Sequence, residues 1–255
     1  MSALTAAIPA GSRYLFERNL RVYRHAWMII FSGFFEPLFF LFSMGFGLGH
    51  YIGRVHGVEY AAYIAPALLA ASAMNGAVYD SGNVFWKLKY NRLYDSVLST
   101  PVSPADVAVG EAGWALFRGL LYSVGFLVVI SSLGLVDSWW ALLALPGAAL
   151  ISMSFAGVGV AAASCMRTWQ DFELIQLVQL PMFLFSTTFY PLSVYPDWLQ
   201  WVVRTLPLYH AIELLRALCN GNVGPIQLVN VAYLAVLGLI GILFATRRIE
   251  RLLLR

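Results

Sequence analysis

Ile226–Gln–Leu–Val–Asn–Val–Ala–Tyr–Leu–Ala–Val–Leu–Gly–Leu–Ile–Gly–Ile–Leu–Phe–Ala–Thr246 runs for 21 residues without an aspartate, glutamate, lysine or arginine, and Arg247, Arg248 and Arg251 follow at once. A helix crossing roughly 30 Å of hydrocarbon needs about 20 mostly apolar residues, so this stretch has the length and purity of a span. The rest of the chain has the same character. Of its 255 residues 60% are hydrophobic, 15% aromatic and 11% charged, with a mean hydropathy of +0.73. Soluble domains carry about a quarter charged residues, and so few charges could not cover the surface of a water-soluble fold this size. Aperiodic glycine, dominant apolar residues and only two cysteines exclude fibrous, disordered and disulfide-stapled classes. A net charge of +3 with no broad basic patch excludes nucleic acid as a partner. The expected class is all-α, a polytopic protein of the lipid bilayer.

Working back from that last span, 226–246, five further apolar segments have the needed length: 26–49, 60–79, 112–136, 139–166 and 174–195. Strands of a membrane barrel would be about 10 residues long with alternating polarity, which none of these shows. The first apolar run begins at Ala26 after four arginines and is too long for a signal peptide, so it is expected to stay attached as the first span. With the N-terminus in the cytoplasm, twelve of the sixteen basic residues fall inside: Arg13, Arg18, Arg21, Arg24, Lys87, Lys89, Arg92, Arg167, Arg247, Arg248, Arg251 and Arg255. Arg54, Arg204 and Arg216 fall outside, and Arg118 lies within a span. Both termini are therefore expected in the cytoplasm.

Two segments lie outside the spans. Trp198–Cys219 is apolar, but Arg204, Glu213 and Arg216 within it, and a seventh crossing that would put the arginine tail outside, argue against a span. Pro207 is expected to divide it into two short helices, with Trp198, Trp201 and Tyr209 at the interface and Gly221 as the stop: an outer-face hairpin over 197–219. Over 12–25, Phe16, Leu20, Tyr23 and Trp27 recur at helical spacing beside Arg13, Glu17, Arg21 and Arg24. Ser12 can cap a helix there and Glu17 precedes Arg21 by four residues, so the segment is expected to lie along the inner membrane surface. A plain basic segment that sets topology is the alternative.

No nucleotide or metal chemistry is expected. The two lysines follow Trp86 and Leu88, not a glycine-rich turn, so there is no phosphate-binding loop. His25, His50, His56 and His210 have no paired ligand spacing, and no motif joins Ser193, His210 and Asp197 into a nucleophilic site. Cys165 and Cys219 would fall on opposite faces, so no disulfide is expected. Glu36 and Arg118 are the pointed observations, because charges inside hydrocarbon usually face a partner or a polar cavity. They either line a polar translocation route or form a structural pair. Asp80 and Glu111 are taken as interface residues. The connection from Ser81 to Gly110 contains a mixed, helical-looking stretch broken by Thr100–Pro101 and Ser103–Pro104. It could pass force from a soluble partner or be an inert loop.

Several of these residues bear a resemblance. Glu36–Pro–Leu38 with Gly45–Phe–Gly–Leu–Gly49, Tyr63–Ile–Ala–Pro66 with Ser72–Ala–Met–Asn–Gly76, and Leu98–Ser–Thr–Pro–Val–Ser–Pro104 are similar to segments of the permease subunits of type-2 ABC exporters. The block Phe189–Tyr–Pro–Leu–Ser193, Pro196–Asp–Trp–Leu–Gln–Trp201, Leu206–Pro–Leu208, Ala211 and Arg216 resembles that family's outer hairpin. The likeness covers nearly the whole chain, and within the family it is to nodulation-type lipo-oligosaccharide and antibiotic-resistance exporter permeases. It implies a transport subunit rather than an enzyme, in a bacterial plasma membrane, with no cofactor on this chain. A cytoplasmic ATP-binding cassette subunit would carry ATP and magnesium. A second permease copy, identical or related, would complete the path. A coupling helix would lie over 84–95, with Phe85, Lys87, Leu88, Asn91, Arg92, Leu93 and Asp95 facing the ATPase. Trp198, Trp201, Pro207, Glu213 and Arg216 would shape the outer exit. Phe31, Phe34, Phe35, Phe39, Phe40, Phe42 and Phe46 suit an apolar or glycolipid cargo, lipid-facing side chains being the alternative. Two other classes stay open on the residues alone: an enzyme acting on lipid-linked substrates through Asp197, His210 and Glu213, and an ion-coupled carrier in which Glu36 titrates.

Overall fold

The computed structural model describes residues 10–24, 35–91, 93–98, 100–136 and 138–253. Helices α1 (Ala10–Arg24), α2 (35–52), α3 (Tyr60–Lys89), α4 (Leu93–Leu98), α5 (Pro104–Ser132), α6 (Ala144–Cys165), α7 (Asp171–Phe185), α8 (Asp197–Thr205), α9 (Pro207–Asn220) and α10 (Ile226–Leu253) make up nearly all of it. A hairpin of two-residue strands, Arg54–Val55 and Val58–Glu59, joins α2 to α3. Among the described residues four helices are long and apolar enough to cross a membrane: Tyr60–Lys89, Pro104–Ser132, Trp139–Cys165 and Ile226–Leu252. The chain is all-α and polytopic.

α3 is the central pole, its most apolar stretch 94% buried. Neighbours approach it through small residues, which is how helices associate where lipid removes any hydrophobic drive between them. A Cβ built on Gly76 of α3 would meet the Gly119 Cα of α5 at 2.6 Å. α6 and α10 touch in the same way, with a Gly157 Cβ 2.7 Å from the Gly238 carbonyl oxygen. Ser154 adds a cross-helix bond, its hydroxyl donating to the Leu234 carbonyl at 2.6 Å. α1, the C-terminal end of α3, the start of α5 and the ends of α6 and α10 gather at one end of the bundle with most of the basic residues (the basic end). α8 and α9 close the other (the hairpin end).

Several boundaries differ from the sequence expectations. Residues 26–34 of the first apolar segment lie outside the described residues; its remainder is helix α2, π-wound over Leu41–Leu48. α5 begins at Pro104 rather than 112, because Ser103 and Asp106 form a capping box and Pro104 is preset for a first turn. α3 runs ten residues past Tyr79, so the helix expected over 84–95 is divided: Val84–Lys89 finish α3, and α4 starts separately at Leu93. The segment 174–195 is not one helix. α7 has 15 residues, about 22 Å at 1.5 Å per residue, and stops at Phe185. There Thr187 adopts a left-handed φ of 62° and the Thr188 hydroxyl takes the Phe183 carbonyl. α1 starts at Ala10, which puts Ser12 inside the helix rather than at its cap, buried on the face turned to α5 with Leu15 and Asn19.

Candidate functional site

Midway along the bundle, α2, α3 and α7 line an open cleft of about 550 Å3 in which polar side chains (Glu36, Asn75, Tyr79, Gln179) stand among Leu174, Leu177, Leu180 and Phe183. Glu36 of α2 accepts from the Tyr79 hydroxyl at 2.7 Å and from Asn75 Nδ2 at 3.4 Å, both on α3. Gln179 of α7 donates Nε2 to Asn75 Oδ1 at 2.7 Å, while its own buried Oε1 finds no donor among the described residues. Behind it lies an almost wholly apolar groove of about 770 Å3 between α6, α7 and α8, floored by Phe155, Val158 and Met182. The two cavities share Leu174, Leu177 and Gln179 as a common wall. A molecule with an apolar chain and a hydroxyl-bearing head would find both environments within one α7 turn or two.

Arg118 is elsewhere. It pairs with Asp80 at 3.5 Å and donates to the Tyr122 hydroxyl at 3.2 Å, with its guanidinium over the Tyr23 and Tyr122 rings at 5.8 and 5.7 Å. The structural pairing of Glu36 with Arg118 therefore does not form. Tyr79 and Asp80 are successive residues of α3 and point about 100° apart, so α2 and α5 meet different faces of the same pole. Arg118 lines neither cavity.

Asp80 and Glu111, expected at the interface, are both 0% exposed. Asp80 also accepts from Asn83, which in turn donates to the Tyr23 hydroxyl. Glu111 accepts from Lys87 at 2.7 Å, Tyr94 at 3.0 Å and Asn19 at 3.1 Å, and Lys87 donates to Asn19 Oδ1 at 3.0 Å. Four helices, α1, α3, α4 and α5, are thus tied through one carboxylate. Burial, and after it the neighbouring Glu111 charge, hold Tyr94 well above the usual tyrosine range, so it remains a donor.

Two of the residues expected to face a soluble partner turn into the bundle. Phe85 is fully buried and Lys87, its side chain 12% exposed, turns inward to neutralise Glu111. Leu88 and Leu93 are half-buried against the core, and Asn91 is exposed. Arg92 and the Asp95 side chain lie outside the described residues. What the basic end exposes is aromatic: Trp86 stacks on Tyr90 at 4.4 Å and meets Trp169 edge-on at 5.8 Å, and Trp169 stacks on Phe172. Trp86, Tyr90 and Trp169 are 45, 55 and 46% exposed. Their spacing gave no signal, because Trp169 comes from the α6–α7 connection.

At the hairpin end, Pro207 opens α9 after the extended Leu206, and Gly221, at φ 78°, closes it. Trp198 and Trp201 are exposed, Arg204 lying over the Trp201 ring at 5.5 Å. Arg216 is held by Glu213 Oε1 at 2.8 Å and the Thr187 carbonyl at 2.7 Å, with its guanidinium 4.2 Å from the Tyr63 ring centre. His210 bonds Asn230 at 2.7 Å and stacks on Tyr233 at 4.0 Å. Among the described residues no hydrogen bond or ion pair joins any two of Asp197, His210 and Glu213.

Comparison with known proteins adds the relatives. The family description "ABC-2 type transporter" matches residues 12–219. Nodulation protein J of Rhizobium leguminosarum bv. viciae is 30% identical over 257 residues, covering 98% of this chain and 99% of that one. Its counterpart in Rhizobium leguminosarum bv. trifolii is 32% identical over 98% of this chain and 97% of its own. The inner membrane transport permease YadH of Escherichia coli K12 is 28% identical over 66% of each.

Proposed function

The chain belongs to the ABC-2 type transporter family, a multi-pass permease of the bacterial inner membrane rather than an enzyme, and from that premise we propose that it moves an amphipathic cargo outward on energy from a separate subunit. The cargo class is a lipo-oligosaccharide, a glycolipid or a drug of similar make-up. One observation carries this reading: a cleft bearing polar side chains and an apolar groove back to back on α7, with Leu174, Leu177 and Gln179 as the wall between them. The apolar part of a cargo taken from the inner leaflet would lie in the groove, at about 25 cal/mol per Å2 of area removed from water. Its hydroxyls would exchange with the Glu36, Asn75 and Tyr79 set and donate to the free Gln179 Oε1.

In this reading both termini are cytoplasmic and the basic end faces the ATP-binding cassette subunit, on which ATP and magnesium bind. Trp86, Tyr90 and Trp169, with Asn91, Leu93 and α4, supply the docking face. Aromatic residues of this size are what interface cores favour. The Glu111 cluster would then pass displacement from α4 to α1, α3 and α5 as one body. A second permease copy would close the open side of the cleft, and the α8–α9 hairpin would close the exit.

The test is co-reconstitution of the full chain with the ATP-binding cassette subunit of its own source in vesicles holding a fluorescent lipo-oligosaccharide. The expected result is ATP-dependent movement of the label between leaflets that needs both subunits. Gln179→Leu should slow it about two- to tenfold, the worth of one hydrogen bond. Transport indifferent to ATP and abolished by Glu36→Gln would replace this reading with an ion-coupled carrier. Turnover of a lipid-linked substrate by the isolated chain would replace it with an enzyme.

A further inference from the structure

A third cavity, about 260 Å3, opens at the hairpin end between the start of α3, the Pro191–Ser193 turn and α9. Its walls are His56, Tyr63, Ser193, Tyr209, Glu213 and Arg216. None of them belongs to the cleft or the groove, and the cup is separated from both in its chemistry. It is smaller than the roughly 300–1,000 Å3 of pockets that hold drug-sized ligands, and so has room for a single ring.

Charge decides what kind of ring. Arg216 is the cation of the cup, and Glu213 cancels it at 2.8 Å. An anion would meet the Glu213 carboxylate and a cation would meet the guanidinium, so neither is favoured. What the rim offers is a mixture: donors on Arg216, an acceptor on Glu213, and hydroxyls on Tyr209 and Ser193 that do both. Hydroxyl groups on a ligand also do both, and several at once would match that rim.

The cup is also built, rather than being a gap left by packing. Thr187, a β-branched residue, is held at φ 62°, a strained conformation that persists only where its surroundings impose it. That backbone turn aims the Thr187 carbonyl at Arg216, 2.7 Å away. The Tyr63 ring supports the guanidinium from beneath at 4.2 Å, and Arg216 Nε is buried with no partner among the described residues. The guanidinium is oriented on two sides and still has a donor left over.

We propose that this cup binds one ring of a neutral, polyhydroxylated, sugar-type molecule. Tyr209 and His56 flank the ring, and Glu213 with Arg216 take its hydroxyls in a bidentate manner from one edge. The site does not depend on the transport reading, because it is assembled by one chain and needs neither nucleotide nor a moving cargo.

The test is ligand-observed saturation-transfer NMR on the full chain in nanodiscs free of alkyl-glycoside detergent, which would itself fill a sugar site. The probes are maltose, glucuronate and glucosamine, read without any ATPase present, so the result stands apart from whether export is observed. Maltose should bind saturably and in preference to both charged sugars. Glu213→Gln should weaken maltose about tenfold and raise glucuronate, since Arg216 is then uncancelled. Tyr209→Phe, which removes one hydroxyl and leaves the packing, should weaken maltose severalfold at unchanged melting temperature, so the test survives if Glu213→Gln misfolds. Absence of saturable maltose binding, stronger binding of either charged sugar by the unaltered chain, or binding unchanged in Tyr209→Phe would overturn the proposal.

Discussion

Replacing Lys87 by methionine should harm this protein more than replacing the buried acid it serves. Lys87→Met leaves Glu111, 0% exposed, with two neutral donors, Tyr94 at 3.0 Å and Asn19 at 3.1 Å, and no cation. Removing one partner of a buried ion pair costs about 3–5 kcal/mol because the remaining charge is stranded. Glu111→Gln is the milder change. Its amide keeps the shape, and Lys87, already 12% exposed at the basic end, can turn its ammonium to water. We expect about 1–2 kcal/mol for that variant, the range of a lost charge-assisted hydrogen bond. The pair Lys87→Met with Glu111→Gln should recover part of the loss, giving a coupling of at least about 1 kcal/mol between contacting residues. Cys219 supplies the assay. It is a fully buried free thiol, so in a Cys165→Ser background a thiol-reactive dye reports unfolding. At roughly 2–4 °C per kcal/mol for a chain of this size, Lys87→Met should lower the midpoint by on the order of 10 °C and Glu111→Gln by about half that or less. Equal midpoints, or a larger drop for Glu111→Gln, would refute the assignment of Lys87 as the inward counter-charge.

Gly119→Ala should destabilise by about 1–3 kcal/mol, because its Cβ would meet the Ala73 carbonyl oxygen at 2.7 Å and α3 and α5 would have to part; a melting point equal to wild type in the same thiol assay would contradict that contact. Trp169→Ala with Trp86→Ala should weaken association with the ATP-binding cassette subunit at least tenfold while leaving the midpoint nearly unchanged, since both rings are half exposed; undiminished co-purification would remove the aromatic face as the docking surface. Changes at Leu88 or Leu93 to aspartate should uncouple ATP turnover from transport without preventing membrane insertion, and retained coupling in both would count against the end of α3 and α4 as the transmitter. The Asp171 carboxylate, held below the usual carboxylate range by the Arg167 and Thr168 backbone N–H groups at 2.7 and 3.2 Å, braces the α6–α7 connection. A depressed folded value means that the brace is fully present above the unfolded carboxylate value of about 3.9 and is lost as pH falls through the folded one. Trp169 fluorescence should show that acid step, and Asp171→Asn should abolish it; a step that persists in Asp171→Asn would assign it elsewhere.

Glu36 and Asp80 show where linear reading stops. Glu36 stands out in the sequence as a charge within an apolar run, and in the structure it lines the cleft and accepts from Tyr79. Its partners, Tyr79 and Asn75, carried no signal, being a tyrosine and an asparagine in a helix with many other polar positions. Asp80 looked like an interface residue because it stands near the basic end of an apolar run. α3 continues instead for two and a half further turns to Lys89, which places Asp80 well inside the bundle. Pro104 and Ser103 were legible as a break, and their capping of α5 was equally present in Ser103-x-x-Asp106. The end of α7 carried one short signal, the polar triplet Ser186–Thr187–Thr188 after Phe185, which the apolar Phe189–Tyr190 beyond it masks in a sum over the whole segment.

Hydropathy and run length are sums over contiguous residues, and contiguous sums suffice for a membrane-spanning, all-α chain. That much was settled by residues such as Ile226–Thr246 alone. Partner choice is different in kind. Asn19 meets Glu111 across 92 residues and Gln179 meets Asn75 across 104, and which side chains face each other depends on the azimuth of each helix and on glycines that let backbones touch. Azimuth is a property of packed helices, not of any one of them, so the inward Lys87, the separated Glu36 and Arg118 and the cup around Arg216 were decided only by tertiary structure.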